Sequence, residues 1–307
     1  MKLVIPPLIY MLLFPGGLGL IMTGLLYEWV HRKLVARLQN RIGPRWFQPM
    51  ADALKLLLKE EIIPSEVNPY LFVGLPVAGI AGVLTAGLYV PLWGFPAAYS
   101  FDGDLIVTLY LLSLLTLSTG LAGWNTRSRF SLVGATRTLT QLFAYEAPFM
   151  MALLGPALAV GSWRMNDIIA GNQGTWLMFT QPIGFIVAVI GLMGKLEMPP
   201  FDAPEAETEI VAGALTDYSG RGLVLFHIGR TTEMLVGLTM IAALYMGGIN
   251  GPLDFVIKTL PVLLLISGFQ TLITRLRIDQ TVGLWWRYGA LLVLLQWVVL
   301  IVLKGIS

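Results

Sequence analysis

Residues 105–126 read LIVTLYLLSLLTLSTGLAGWNT, a run that contains no charged side chain. About 20 mostly apolar residues are enough for an α-helix to cross the hydrocarbon core of a bilayer. Backbone groups in lipid must be hydrogen-bonded within the segment, so a run of this kind is expected to be helical. The stretch therefore predicts a transmembrane helix.

The rest of the 307-residue chain continues this pattern, since 56% of its residues are hydrophobic and only 12% are charged. Some of its other long apolar runs carry no charge, and the remainder are interrupted by one or two charged residues. The predicted spans cover residues 3–27, 67–101, 105–126, 138–163, 168–194, 222–253, 255–274 and 284–303. The expected fold is an all-α polytopic membrane protein with about eight transmembrane helices, forming one integral domain over residues 1–307.

The composition excludes several classes of site. The chain has no cysteine, which rules out disulfides, thiolate nucleophiles and iron–sulfur ligation by its own residues. A formal charge of +2 is too small to indicate a nucleic-acid-binding protein. The first apolar run is about twice as long as a signal-peptide core and lacks a small-residue cleavage site, so we expect it to be retained as an anchor.

Lysine and arginine are distributed unevenly among the loops. Seven follow the first predicted span, and three lie in each of the regions after the third, fifth and seventh, which makes sixteen of the 20 in the chain. By the positive-inside rule these loops are cytoplasmic and both termini lie outside, in the plasma membrane. The cytoplasmic side then holds the loop 29–66 and an acidic loop, 195–221.

The loop 29–66 contains a candidate amphipathic helix at residues 48–62, QPMADALKLLLKEEI. Its apolar side chains share one helical face, and the charged residues, including Asp52 and Lys55, lie opposite. The pattern fits an interfacial helix that lies along the membrane and offers a platform for a partner. A short connector with a solvated face is an equally good interpretation.

The acidic loop concentrates carboxylates in the stretch 199–220, PPFDAPEAETEIVAGALTDYSG. Asp202, Pro204 and Glu205 are spaced as in a helix start, with Asp202 as the cap. In a continuous helix Glu205 and Glu209 would share a face, and their repulsion would need cations, arginine or a shared proton to offset it. A solvated acidic loop is the alternative, although the interleaved apolar residues favour a helix packed against something.

Each charged residue inside a predicted span is expected to have a partner or a function, because a charge at the bilayer centre costs roughly 2.5–3.5 kcal/mol or more. Glu146 is interpreted as a proton-carrying acid, or else as a protonated acid hydrogen-bonded to a neighbouring helix. Glu28 is expected to pair with Arg32 one helical turn later. Arg230 and Glu233, three residues apart, are expected to neutralise each other.

Four motifs together carry a family resemblance. They are LQNRIGPRWFQPMADALKLLLKE (38–60), QLFAYEAPF (141–149), the acidic stretch 199–220, and TRLRIDQTVGLWWR (274–287). In this order, over nearly the whole chain, they resemble the subunit 1 family of respiratory complex I, whose members are also called H subunits. The segment from Gly43 to Pro49 is shorter than is usual for that family. In this respect the chain is most similar to the membrane subunit of archaeal energy-converting [NiFe] hydrogenases and of the membrane-bound sulfane sulfur reductase.

The resemblance implies two groups of functional residues. One is a proton or ion coupling path formed by Glu28, Glu146, Glu205, Glu207, Glu209, Asp217 and Glu233. The other is an interface with a peripheral redox arm, formed by Arg37, Arg41, Asp52, Lys55, Asp202, Arg275, Arg277 and Asp279. Many relatives have Glu-Tyr where this chain has Asp217-Tyr218, so the carboxylate is retained on a shorter side chain.

The resemblance also implies partners. They are hydrogenase-like large and small peripheral subunits, a ferredoxin-like iron–sulfur subunit and antiporter-like membrane subunits, within the lipid bilayer. The chain is expected to bind no cofactor or metal, with iron–sulfur clusters and a nickel–iron centre carried by partners. The expected role is to anchor the arm and couple its electron transfer to proton or sodium movement, without chemistry of its own. Three alternatives stay open: a quinone-site subunit of complex I, a purely structural anchor, and a stand-alone secondary transporter.

Overall fold

The computed structural model describes residues 7–306, in which the regular structure is helical apart from a single β-bridge between Leu92 and Phe95. The α-helices in this range are α1 (Pro7–Leu12), α2 (Gly17–Leu38), α3 (Gln48–Leu58), α4 (Pro69–Gly87), α5 (Asp104–Asn125), α6 (Arg129–Val160), α7 (Met165–Gly171), α8 (Leu177–Thr180), α9 (Pro182–Lys195), α10 (Glu207–Ile210), α11 (Gly220–Tyr245), α12 (Pro252–Leu272), α13 (Ile278–Leu284) and α14 (Ala290–Ile306). A π-helical segment, Trp285–Gly289, joins α13 to α14.

Five helical segments in this part of the chain are long and apolar enough to cross a membrane. They are α4, α5, α6, α12 and the segment Ile278–Val302. Helices α2 and α11 have 22 and 26 residues and carry charged residues within their length, and α9 is a mainly apolar helix of 14 residues that ends at Lys195. Each predicted span overlaps one of these helices, although residues 3–6 of the first span lie outside the described residues.

Two predicted spans, 67–101 and 168–194, are longer than their helices, since α4 ends at Gly87 and α9 begins at Pro182. Elsewhere charged residues extend a helix beyond the apolar run. Helix α6 begins at Arg129, nine residues before the predicted start, and α2 continues to Leu38 through a basic segment. The first part of the predicted loop 29–66 is therefore helical. Lysine and arginine are good helix formers, so the end of an apolar run need not end the helix.

Helix α11 forms the centre of the bundle. Every residue from Thr231 to Tyr245 is buried, and the helix contacts α2, α4, α9 and α12. Close packing of its backbone depends on small residues. A Cβ on Gly24 of α2 would lie 3.0 Å from the Thr231 carbonyl oxygen. A helix buried on all sides suits the burial of charged side chains, because its surroundings can supply partners for them.

The acidic loop is not one continuous helix. It forms a 3₁₀ turn at Ala203–Glu205, then α10, then a second 3₁₀ turn at Gly213–Leu215. The prediction that Asp202 caps a helix is wrong, since its side chain makes no cap hydrogen bond. The φ and ψ of Ala206, −55° and 85°, interrupt the helix, so Glu205 and Glu209 do not stack on one face as expected.

The second half of the loop packs tightly into the bundle. Ile210, Ala214 and Leu215 are buried, as their spacing indicated, whereas Val211 is exposed. A Cβ on Gly134 of α6 would lie 2.3 Å from the Ala214 backbone nitrogen. The loop is thus fixed to the membrane helices by close backbone contact.

Candidate functional site

Three acids of the acidic loop are each paired with an arginine from a different part of the bundle. Asp202 accepts two hydrogen bonds from Arg275, at 2.9 and 2.6 Å. Glu209 accepts one from Arg137 of α6, at 2.7 Å, and Glu205 is paired with Arg230 of α11. The cations that the sequence required beside these like charges are therefore arginines supplied by tertiary contact.

The other two loop acids have different surroundings. Asp217 accepts a hydrogen bond of 3.2 Å from the Ser131 hydroxyl at the start of α6. Glu207 is exposed on α10. The five predicted acids therefore lie on one loop, but the structure separates those held against the bundle from Glu207 at its surface.

Arg230 joins the loop to the interior of the bundle. Its guanidinium is bound to both Glu205 and Glu197, and Glu197 is almost fully buried. The prediction that Arg230 is neutralised by Glu233 is wrong. The guanidinium is instead paired with Glu205 of the loop and with Glu197 beyond α9. Glu197 lies just beyond α9, and its burial raises the pKa of its carboxyl group, an effect that Arg230 opposes.

Glu146 is paired across helices with a lysine that was not among the predicted site residues. Nζ of Lys195, at the end of α9, lies 3.4 Å from Oε2 of Glu146 and 3.2 Å from the Ser113 hydroxyl. The Lys195 side chain is completely buried, and its Nζ also lies 5.6 Å from the ring centroid of Tyr145. Lys195, at the end of an apolar helix, therefore turns into the bundle and away from the acidic loop.

Glu233 lies between these two sets of charges. It is buried on α11, and its Oε1 has no hydrogen-bond partner among the described residues. The same is true of Oε1 of Glu197. A narrow void is lined by Lys195, Glu197, Arg230 and Glu233, together with residues of α5. Both residues with an unpartnered carboxylate oxygen therefore line the same void.

A cavity of about 270 Å³, which shares Glu197 and Arg230 with this void, lies beside the acidic loop. Its charged and titratable lining consists of Glu28, His31, Arg32, Glu197, Glu205, His227 and Arg230. A neighbouring cavity of about 150 Å³ shares Glu28, Arg32 and His227 and adds Asp52 of α3. The expected Glu28–Arg32 pair is present, and Arg32 also lies 3.5 Å from Asp52.

The residues predicted to face a peripheral arm do not form one cluster. Arg277 and Asp279 pair with each other at 3.5 Å, and Arg275 pairs with Asp202 of the acidic loop. Asp52 accepts a hydrogen bond of 2.9 Å from Gln48 and lines the second cavity with its side chain 45% exposed. The remaining three residues are exposed: Arg37 near the end of α2, Arg41 just beyond α2, and Lys55 on α3.

Four residues of the site were not among those predicted: Lys195, Glu197, His31 and His227. Lys195 and Glu197 had a signal in the sequence, since charges at the end of an apolar run need partners. His31 and His227, the only histidines of the chain, lie far apart in sequence, and only the packing of α2 against α11 places both in one cavity.

Comparison with known proteins gives consistent matches. The family model described as NADH dehydrogenase matches residues 10–302. The H subunit of NADH-quinone oxidoreductase from Carboxydothermus hydrogenoformans is 32% identical over 270 residues, covering 85% of this chain and 76% of that protein. The protein of the same name from Dehalococcoides mccartyi (strain ATCC BAA-2266) is 33% identical over 292 residues, with coverage of 92% and 82%. That of Bacillus thuringiensis is 33% identical over 295 residues, with coverage of 90% and 87%.

Proposed function

The chain belongs to the NADH dehydrogenase family of membrane proteins that includes the H subunits of complex I, and from this premise we propose that it couples a peripheral electron-transfer arm to ion translocation. In this role it anchors the arm at the acidic loop and carries no redox centre of its own. The whole complex would be an oxidoreductase, with the reaction performed by partner subunits.

One observation carries the proposal: a series of ionisable side chains extends from the acidic loop into the bundle. Glu205 contacts Arg230, Arg230 contacts Glu197, and Glu197 shares a void with Glu233 and Lys195. Lys195 in turn contacts Glu146 on α6. Buried charges of this kind are expensive to keep in a membrane protein and typically mark ion or proton pathways. Pure anchoring would not require such a series.

The geometry of Arg230 suggests how a signal from the arm enters this series. One guanidinium is shared by Glu205 of the loop and by buried Glu197. If contact with the arm displaces or protonates Glu205, the positive charge of Arg230 acts on Glu197 alone. That change lowers the pKa of Glu197 and favours release of its proton toward Glu233. Movement of the loop is thereby converted into a change of protonation inside the bundle.

We also propose the branch of the family to which the complex belongs. The short segment from Gly43 to Pro49 supports the membrane-bound hydrogenase or sulfur-reductase type. The alternative is a quinone-site subunit like those after which the relatives are named.

The partners follow from the same proposal. Large and small peripheral subunits and a ferredoxin-like iron–sulfur subunit would dock at the acidic loop and the loop 29–66. Antiporter-like membrane subunits would receive the charge change from Glu146. Iron–sulfur clusters, and nickel in the hydrogenase type, would be held by these partners. The pumped ion would be a proton or sodium.

The test is purification of the native complex through a tag on this chain. Co-purified iron–sulfur subunits, and ion uptake into proteoliposomes during redox turnover, are the expected result. A chain that purifies alone and transports a solute would contradict the proposal. Nickel in the purified complex would support the hydrogenase type. Quinone reductase activity without nickel would instead assign the chain to the quinone branch.

A further inference from the structure

Gln141 of α6 holds together two parts of the chain that lie on either side of Lys195 and Glu197. Its side chain is buried, and its amide nitrogen donates to the carbonyl oxygen of Gly194, at 3.0 Å, and to that of Phe201, at 2.7 Å. Gly194 is the last residue but one of α9, and Phe201 lies in the acidic loop. Because both oxygens are within 3.0 Å of one nitrogen, the chain folds back on itself between them.

The chain folds back through a residue in the left-handed region. Glu197 has a φ of 52°, which residues with a side chain rarely adopt. The Met198 nitrogen donates to the Met193 carbonyl at 3.1 Å, and the Glu197 nitrogen donates to that of Gly194 at 3.3 Å, so α9 ends in a turn that usually has glycine at this position. Such a residue persists only where neighbouring contacts fix it. Gln141 supplies one, because the Gly194 carbonyl that it binds also closes the turn.

The two charges leave this turn in different directions. Lys195 reaches Glu146 of α6, with 3.4 Å between Nζ and Oε2, whereas Glu197 is paired with Arg230 of α11. Gln141 precedes Glu146 by five residues on α6. Its hold on the end of α9 therefore also sets the height at which Lys195 meets α6.

The hydrogen bonds of Gln141 do more than satisfy a helix end. The last carbonyl groups of a helix need donors, and Gly194 alone would fit that need. Phe201, however, does not belong to a helix, and Oε1 of Gln141 has no hydrogen-bond partner among the described residues. The reverse orientation of the amide would set its oxygen against two carbonyl oxygens. An unsatisfied buried oxygen is costly, so the arrangement favours the link between two segments over the hydrogen bonding of the glutamine itself.

We propose that Gln141 is a positioning residue for the two buried charges of this turn. By joining the end of α9 to the acidic loop, it keeps Lys195 against α6 and Glu197 against Arg230. The assignment rests on the proposed coupling function for the role of these charges in ion translocation. The position of the charges is a property of the folded chain and can be measured without turnover.

The test is whether the contact between Glu197 and Arg230 depends on Gln141. Arg230→Gln is expected to raise the pKa of Glu197, because the guanidinium lowers it. In a Gln141→Met background the same substitution should change this pKa by about half as much or less, since the carboxyl group no longer lies against the guanidinium. Infrared difference spectroscopy of the purified complex over a range of pH measures the pKa, with Glu197→Gln to assign the band. Lys195, Glu205 and Glu233 also lie near Glu197, and all three are unchanged in these backgrounds.

Gln296→Met is the matched control. Gln296 of α14 is also a buried glutamine that holds α9, but at the opposite end, where its Oε1 accepts from the Gly184 nitrogen at 2.6 Å. Its loss should lower the thermal stability and leave the effect of Arg230→Gln on the Glu197 pKa at full size. An effect of full size in Gln141→Met as well would overturn the proposal. If Gln141→Met does not fold, Gln141→Asn has an amide one methylene too short for both carbonyl oxygens and should show the same reduction.

The number of ions pumped per redox turnover separates this assignment from the proposed function. In the complex, Gln141→Met is expected to lower that number and Gln296→Met to leave it unchanged. A weakened contact between Glu197 and Arg230 with an unchanged number would support the positioning role and contradict the proposed role of these charges in coupling. A lowered number with the contact intact would overturn the positioning role.

Discussion

Lys195 and Glu146 form a salt bridge between α9 and α6, with Nζ and Oε2 3.4 Å apart. The two partners are not equally enclosed, because the lysine side chain is fully buried while that of Glu146 is 17% exposed. A charge left without its partner is costly in proportion to its burial. We therefore expect the loss of Glu146 and the loss of Lys195 to have different effects on stability.

Glu146→Gln should destabilise the protein more than Lys195→Met, since the fully buried ammonium of Lys195 then loses its salt bridge and keeps the Ser113 hydroxyl, 3.2 Å away, as a hydrogen-bond partner. Removing one partner of a buried pair costs about 3–5 kcal/mol, and we place Glu146→Gln in that range. The double variant should be more stable than Glu146→Gln alone. Thermal unfolding of the three variants in one detergent, analysed as a double-mutant cycle, measures the difference. A double variant less stable than both single variants would contradict the pairing.

Glu233→Gln should abolish or strongly reduce ion uptake while redox turnover continues. The substitution keeps the shape of the side chain, and Oε1 of Glu233 has no hydrogen-bond partner to lose among the described residues. A role in carrying charge is therefore separable from a role in folding. Glu66→Gln is the matched control, because Glu66 is exposed and pairs at the surface with Arg127, at 3.3 Å. Normal pumping by Glu233→Gln would remove that residue from the path.

Arg230→Gln should raise the pKa of Glu197 further. Burial already raises this pKa and the guanidinium opposes the shift, so loss of the positive charge favours the protonated acid at a given pH. The protonated-carboxyl band in a pH titration by infrared difference spectroscopy measures the change, with Glu197→Gln to assign the band. Arg230→Lys keeps a positive charge, so the pKa of Glu197 in this variant should lie between its values in the unmodified protein and in Arg230→Gln. Arg137→Gln, which removes the partner of Glu209, should leave the Glu197 titration in place.

Gly134→Ala should displace the acidic loop and weaken coupling. The added methyl group would lie 2.3 Å from the Ala214 nitrogen, a backbone atom that moves only if the loop moves. Overpacking of this kind typically costs about 1–3 kcal/mol. Gly268→Ala on α12 is the control, since nothing lies within 4 Å of its added methyl group. The rate at which a protease cleaves the loop and the number of ions pumped per redox turnover should change in Gly134→Ala and stay the same in Gly268→Ala.

The site was predictable only in part, and particular residues show why. Glu28 and Arg32 were paired correctly because both lie on one helix, where a spacing of four residues fixes their proximity. Arg230 was wrongly paired with Glu233 by the same kind of argument. Its actual partners, Glu197 and Glu205, are 33 and 25 residues away in sequence. Helical periodicity reports neighbours on one helix and contains no information on which other helix supplies a counter-charge.

The sequence by itself determined that the chain is an all-α membrane protein, because long apolar runs in lipid can satisfy their backbone groups only as helices. It also determined which family the chain belongs to, through motifs whose order and content are read directly. Tertiary structure alone decided that Lys195 faces Glu146, that Arg230 is shared by a loop acid and a buried acid, and that Gln141 joins the end of α9 to the acidic loop. These relationships depend on how helices pack around α11, and packing is set by shape and contact between segments far apart in the chain.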